Sequence, residues 1–85
     1  MKLKDIFEVE SIDDKYFMIC LDSSVFAGMV QLNQTALFIV EALKDETTEI
    51  ELAKKMTETY NVTEEDARRG ISLIVEQLKG LGAIE

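Results

Sequence analysis

The chain has 85 residues, 47% of them hydrophobic, which is enough for one small domain with a core but not for a core hollowed into a deep substrate cavity. Seventeen acidic side chains stand against nine basic ones, a formal net charge of −8 spread over both halves, so the Lys and Arg surplus needed to hold nucleic acid or an anionic membrane is missing. His and Pro are absent and Cys20 is the one cysteine, leaving nothing with which to build a histidine acid–base centre, a zinc site or an internal disulfide; no cofactor or metal is expected.

Ile6 to Ile12 is β-rich and alternates imperfectly, and Asp13-Asp14 offers a two-residue turn after it. Lys15 to Leu21 reads as a second strand, Asp22-Ser23-Ser24 as a second turn, and Phe26 to Leu32 as a third strand. Three short strands joined by tight turns predict an antiparallel meander. The middle strand is apolar on both faces, with Phe17, Ile19 and Leu21 opposite Tyr16, Met18 and Cys20. In the third strand Phe26, Gly28, Val30 and Leu32 share a face, with Ala27, Met29 and Gln31 on the other. One sheet face must cover the helices that follow. The second is then an apolar contact surface, or is covered by an N-terminal segment or a second copy, so a homodimer is one expectation. Cys20, within an apolar run, reads as a buried structural thiol.

From Asn33 the hydrophobic period changes from two to 3.6. Asn33 or Thr35 caps a helix with Ala36, Ile39, Val40 and Leu43 inward. Thr48-Glu49-Ile50-Glu51 is a capping box opening a second helix that runs to about Tyr60, with Ile50, Ala53, Met56 and Tyr60 inward. Thr63 caps a third helix, whose stripe is Ala67, Ile71, Ile74, Val75 and Leu78 and whose stop is Gly80 and Gly82. Strands followed by helices predict an α+β fold, an N-terminal three-stranded antiparallel sheet followed by a three-helix bundle whose last two helices resemble a helix-turn-helix. Asp13-Asp14, Asp45-Glu46 and Glu64-Glu65-Asp66 fall at turns and helix starts and read as solvated caps. Arg68 and Arg69 stand where a DNA-reading helix places base contacts, but they follow three acids. No run approaches the roughly 20 apolar residues of a membrane span, and a cytoplasmic protein is expected.

The order and spacing of several segments resemble the PqqD-like family of peptide-recognition domains. The segments are Met29-Val30-Gln31-Leu32-Asn33-Gln34-Thr35-Ala36, then Thr48-Glu49-Ile50-Glu51-Leu52-Ala53, then Tyr60-Asn61-Val62-Thr63-Glu64-Glu65, and finally Leu78-Lys79-Gly80-Leu81-Gly82-Ala83-Ile84. The chain departs from the family pattern at Asp45-Glu46, where Asp-Gly is common, and at Gln34, where Pro is usual. The resemblance implies one winged-helix-like domain over residues 1–85. It also implies a non-catalytic adaptor that binds the leader of a ribosomally made precursor peptide by strand addition. The adaptor would present that peptide to a modifying enzyme such as a radical SAM protein, a cyclase or a protease. On this reading the leader lies between the third strand, Ala27, Gly28, Met29, Val30, Gln31 and Leu32, and the third helix. There Val30, Val75 and Leu78 form an apolar pocket, Arg68 and Lys79 lie along the rim, and Ser72 is a further peptide-binding residue. Gly28 would let the guest backbone approach closely. A second reading of the same elements is an acidic winged-helix regulator acting through protein or DNA contacts.

Overall fold

The computed structural model covers residues 1–85. It has three antiparallel strands, β1 (Phe7–Ile12), β2 (Lys15–Cys20) and β3 (Met29–Leu32), followed by α1 (Gln34–Ala42), α2 (Glu49–Thr59) and α3 (Glu64–Gly80). The sheet order is β1-β2-β3, which leaves β3 on an edge. Asp13 and Asp14 both adopt left-handed backbone, φ 49° and 65°, as a tight hairpin turn requires, and Ile12 pairs directly with Lys15 across it.

The third strand is shorter than the sequence pattern predicts, because Asp22 organises the residues before it. Its side-chain Oδ1 accepts from the Ser24 N–H at 3.0 Å and the Ser24 hydroxyl at 2.6 Å. Its carbonyl accepts from the N–H groups of Val25 and Phe26 and from the Cys20 thiol at 3.2 Å. These bonds curl residues 22–26 out of the ladder, and Gly28, at φ 108°, turns the chain back into β3 at Met29. Cys20 is therefore half-buried with a bonded thiol, rather than sealed in the core.

Each helix starts at a side-chain cap: Asn33 accepts from the Ala36 N–H at 2.8 Å, Thr48 from that of Glu51 at 3.1 Å and Thr63 from that of Asp66 at 3.2 Å. The capping box of α2 is only half formed. The Glu51 carboxylate accepts from the hydroxyl of buried Thr47 at 3.3 Å, which satisfies a group that would otherwise be desolvated. Gly82, not Gly80, ends α3. At φ 75° its N–H donates to the Lys79 carbonyl, and the Ala83 N–H to that of Leu78, the paired bonds of a Schellman stop.

The core draws on every element: Phe7, Met18 and Leu32 from the sheet, Ile39, Val40 and Leu43 from α1 and its end, Leu52, Ala53 and Met56 from α2, and Ala67, Ile71, Val75 and Leu78 from α3. An edge-to-face contact of Phe38 with Tyr60, ring centroids 5.5 Å apart, joins α1 to the end of α2. Leu3 and Ala83 close the bottom, where the N–H of Leu3 donates to the Leu43 carbonyl and that of Lys4 to the Ala83 carbonyl. The N-terminal segment is thus tied to the helical side and does not cover the outer sheet face.

Ile50 is the exception to the predicted helix stripes, at 65% exposed. Leu52, Ala53 and Met56 define the buried face of α2, and Ile50, two residues before Leu52, falls on the opposite side of a 3.6-residue turn. Ile71→Ala should therefore cost about 2–5 kcal/mol in urea unfolding, whereas Ile50→Ala should stay within about 0.5 kcal/mol of the parent. Equal losses would mean that the face of α2 has been misassigned.

Candidate functional site

The alternation of the ladder determines which backbone groups of β3 are free. The Leu21 N–H donates to the Ile6 carbonyl directly opposite it, so Leu21, Ile19, Phe17 and Lys15 turn their backbone groups toward β1. Tyr16 and Met18 accordingly face β3, opposite Leu32 and Val30. Val30 and Leu32 spend their N–H and C=O groups on β2. Met29 and Gln31 point theirs away from the sheet, and no turn, loop or cap bond takes them up. The free edge is a two-residue ladder waiting for a strand.

A groove of about 170 Å³ runs beside that edge. Val30, Gln31, Leu32 and Asn33 form its β3 wall, Ala36 and Val40 of α1 its end, Met18 its floor, and Ile74, Gln77, Leu78 and Leu81 the opposing α3 wall. No charged side chain lines it. The volume is too small for a cofactor, for which sites of roughly 300 Å³ or more are usual, and suits single apolar side chains arriving on a backbone. Asn33 keeps its Oδ1 on the α1 cap, so only its amide N–H groups remain for an incoming group.

Among the residues singled out in the sequence, Val30, Gln31, Leu32 and Leu78 line the groove. Val75 is only 1% exposed and sits behind it in the core. Ala27 and Gly28 precede the ladder. Gly28 is required for the backbone turn into β3; a Cβ built on it meets nothing within 4 Å. Met29 and Gln31 present backbone to the edge and side chains to the outer sheet face. Arg68 and Ser72 line a different hollow, with Thr48, Glu49 and Ile50, between the starts of α2 and α3. Lys79 is exposed and lies 4.0 Å from Glu76. Ile74, Gln77, Leu81, Asn33, Ala36, Val40 and Met18 also line the groove, although the sequence reading gives none of them a place in the site. Their signal is present as two helical stripes, Ile74-Gln77-Leu78-Leu81 and Asn33-Ala36-Val40, each spaced by three and four residues.

Asp22, in the turn before β3, has a displaced titration. The hydroxyl and N–H of Ser24 hold its carboxyl below the usual carboxylate range. Because the folded value is lowered, the stabilising effect is complete above the unfolded pKa of about 3.9 and is lost as pH falls through the folded value.

A family model described as "Coenzyme PQQ synthesis protein D (PqqD)" matches residues 18–84. A solved structure described as a lasso peptide synthetase B1 complexed with the leader peptide is 30% identical, with TM-score 0.77 over 96% of this chain and 93% of that one. Another, TbiB1 in complex with the TbiA(beta) leader peptide, is 19% identical with TM-score 0.82, covering 100% of this chain and 95% of that one, and shares the fold. No curated protein matches the chain.

Two outcomes follow for the approach to β3. In an NMR titration the Asp22 carboxyl should titrate below about 3.9, and the Ser24 amide should lose hydrogen-exchange protection only under more acidic conditions; a normal midpoint would remove the Asp22 turn from the account. Gly28→Ala should destabilise the domain by about 1–3 kcal/mol through backbone strain alone, since there is space for the methyl group; an unchanged thermal midpoint would contradict the left-handed turn.

Proposed function

Because the chain belongs to the PqqD family, we propose that it is a non-catalytic carrier for the leader segment of a ribosomally made precursor peptide. The leader joins the sheet as a fourth strand on β3, and the carrier presents the remainder of the peptide to a modifying enzyme of the radical SAM, cyclase or protease class. The observation that carries this reading is the coincidence of the free Met29–Gln31 edge with the apolar groove against α3. The backbone ladder supplies affinity that is nearly indifferent to guest sequence, and the groove selects which side chains lie along it.

Strand alternation gives the guest two rows of side chains. One row enters the groove between β3 and α3. Since no charged residue lines the groove, that row is apolar or neutral, because a charged group buried there would have no partner. The same lack of titratable groups supports a non-catalytic role: nothing in the groove can move a proton or attack a bond. The leader peptides bound in the two similar solved structures support a peptide as occupant. DNA is disfavoured by the −8 charge and by Glu64, Glu65 and Asp66 in the first turn of α3, where Asp66 also pairs with Arg69.

The test is calorimetric titration of the domain with synthetic leader peptides, beginning with those bound in the two similar solved structures. Gln31→Pro removes a donor that faces outward, so it should leave the sheet folded by circular dichroism and weaken the leader by about 0.5–1.5 kcal/mol, roughly 2- to 12-fold in Kd. Ile74→Glu, which puts a carboxylate in the groove, should weaken it by about tenfold or more. Unaltered leader affinity in both folded variants would remove the site from β3 and α3.

A further inference from the structure

The outer face of the sheet has an apolar centre, in which Phe17 and Ile19 are half-buried and Met29 is exposed. Read across the register, its rows are Glu8–Ile19–Met29 and Glu10–Phe17–Gln31, with Ile12 opposite Lys15 at the hairpin end. Phe17, Ile19 and Met29 do not belong to the residues packed on the core, and Met29 and Ile12 are 57% and 47% exposed. Glu8 and Glu10 border this patch, are exposed, and take part in none of the ion pairs. The face is therefore an apolar strip with a negative margin.

It is also continuous with the edge described above. Met29 and Gln31 give backbone groups to the edge and side chains to this face, so a strand added there would set every second one of its side chains beside them. Resting on the strand-addition reading, we infer that the outer face is the docking surface for the enzyme that acts on the guest. That partner presents an apolar side chain to Phe17, Ile19 and Met29 and places Lys or Arg against Glu8 and Glu10. The bound guest widens the surface, so the enzyme holds the loaded carrier more tightly than the empty one, and by linkage raises the carrier's affinity for the guest by the same factor. A second copy of this chain fits less well. Two-fold pairing would bring the Glu8 and Glu10 of both copies into one interface, with Lys15 the only cation that this face supplies.

The experiment uses the whole chain, a synthetic leader peptide that it binds, and the purified modifying enzyme that acts on that leader's precursor. The double variant Glu8→Lys, Glu10→Lys should lose about tenfold or more in enzyme affinity and reverse its salt dependence, while leader affinity stays within about twofold. Saturating leader should raise the affinity of the parent chain for the enzyme by about fivefold or more. With the parent chain, the methyl signals of Ile19 and Met29 should broaden on adding enzyme, a readout that needs no substitution. The proposal is overturned if the parent binds no enzyme, if the charge-reversed variant binds it equally well, or if sedimentation shows a dimer of the chain that the same substitutions dissociate. A leader that fails to bind while the enzyme still docks on this face contradicts strand addition and the cooperative part of the proposal, and leaves the docking surface supported.

Discussion

The antiparallel register of β3 on β2 is the constraint from which the site follows. Pairing Met18 with Val30 and Tyr16 with Leu32 commits alternate backbone groups to the sheet and leaves those of Met29 and Gln31 unspent. The same register turns Val30 and Leu32 toward α1 and α3, and Met29 and Gln31 toward the outer face. A slip of one residue would exchange both sets, burying Gln31 and exposing Leu32, so the hydrophobic pattern of four residues holds the edge and the groove in place together.

The rest of the chain keeps that short strand in position without closing its edge. Asp22 gathers the preceding loop, Gly28 redirects it, and Asn33 starts α1 directly after Leu32, so β3 is bounded on both sides by hydrogen-bonded turns. The loop passes beside the stop of α3, with Val25 3.7 Å from the point where a Cβ on Gly82 would lie. That stop also places Leu81 on the groove wall. The domain is small and its buried apolar residues are shared among all its elements, so it has little volume for an enclosed cavity, and a surface groove is the form of site such a core can support.

The element order, the caps of α2 and α3 and most of the helix stripes were legible in the sequence, because period and capping are local, while that of α1 stayed open between Asn33 and Thr35. Two failures were local rules applied without their competitors. The run from Phe26 to Leu32 looks like one strand, yet the Asp22 turn and the positive φ of Gly28 take its first three residues out of the ladder. Ile50 looks inward as part of a capping box, yet Leu52, Ala53 and Met56 decide the buried face of α2. The groove was half legible. Val30, Gln31, Leu32 and Leu78 follow from the edge strand and the α3 stripe, but Ile74 reads as core until its half-exposed position is seen, and Leu81 lies beyond an apparent glycine stop. Arg68 and Ser72 were assigned to α3 correctly and to its β3-facing side incorrectly, since helix phase relative to a distant strand is a tertiary property. The apolar character of the outer sheet face, by contrast, is plain from the two-sided pattern of Phe17 to Leu21.

Amide hydrogen exchange on the domain saturated with leader addresses the central claim most directly, because it reads the edge donors one by one. The Met29 and Gln31 amides, open in the free domain, should gain about tenfold or more in protection, while Val30 and Leu32, already bonded to β2, should change far less. Tight leader binding that leaves Met29 and Gln31 unprotected, or that protects α2 from Glu49 to Thr59 instead, would contradict that claim.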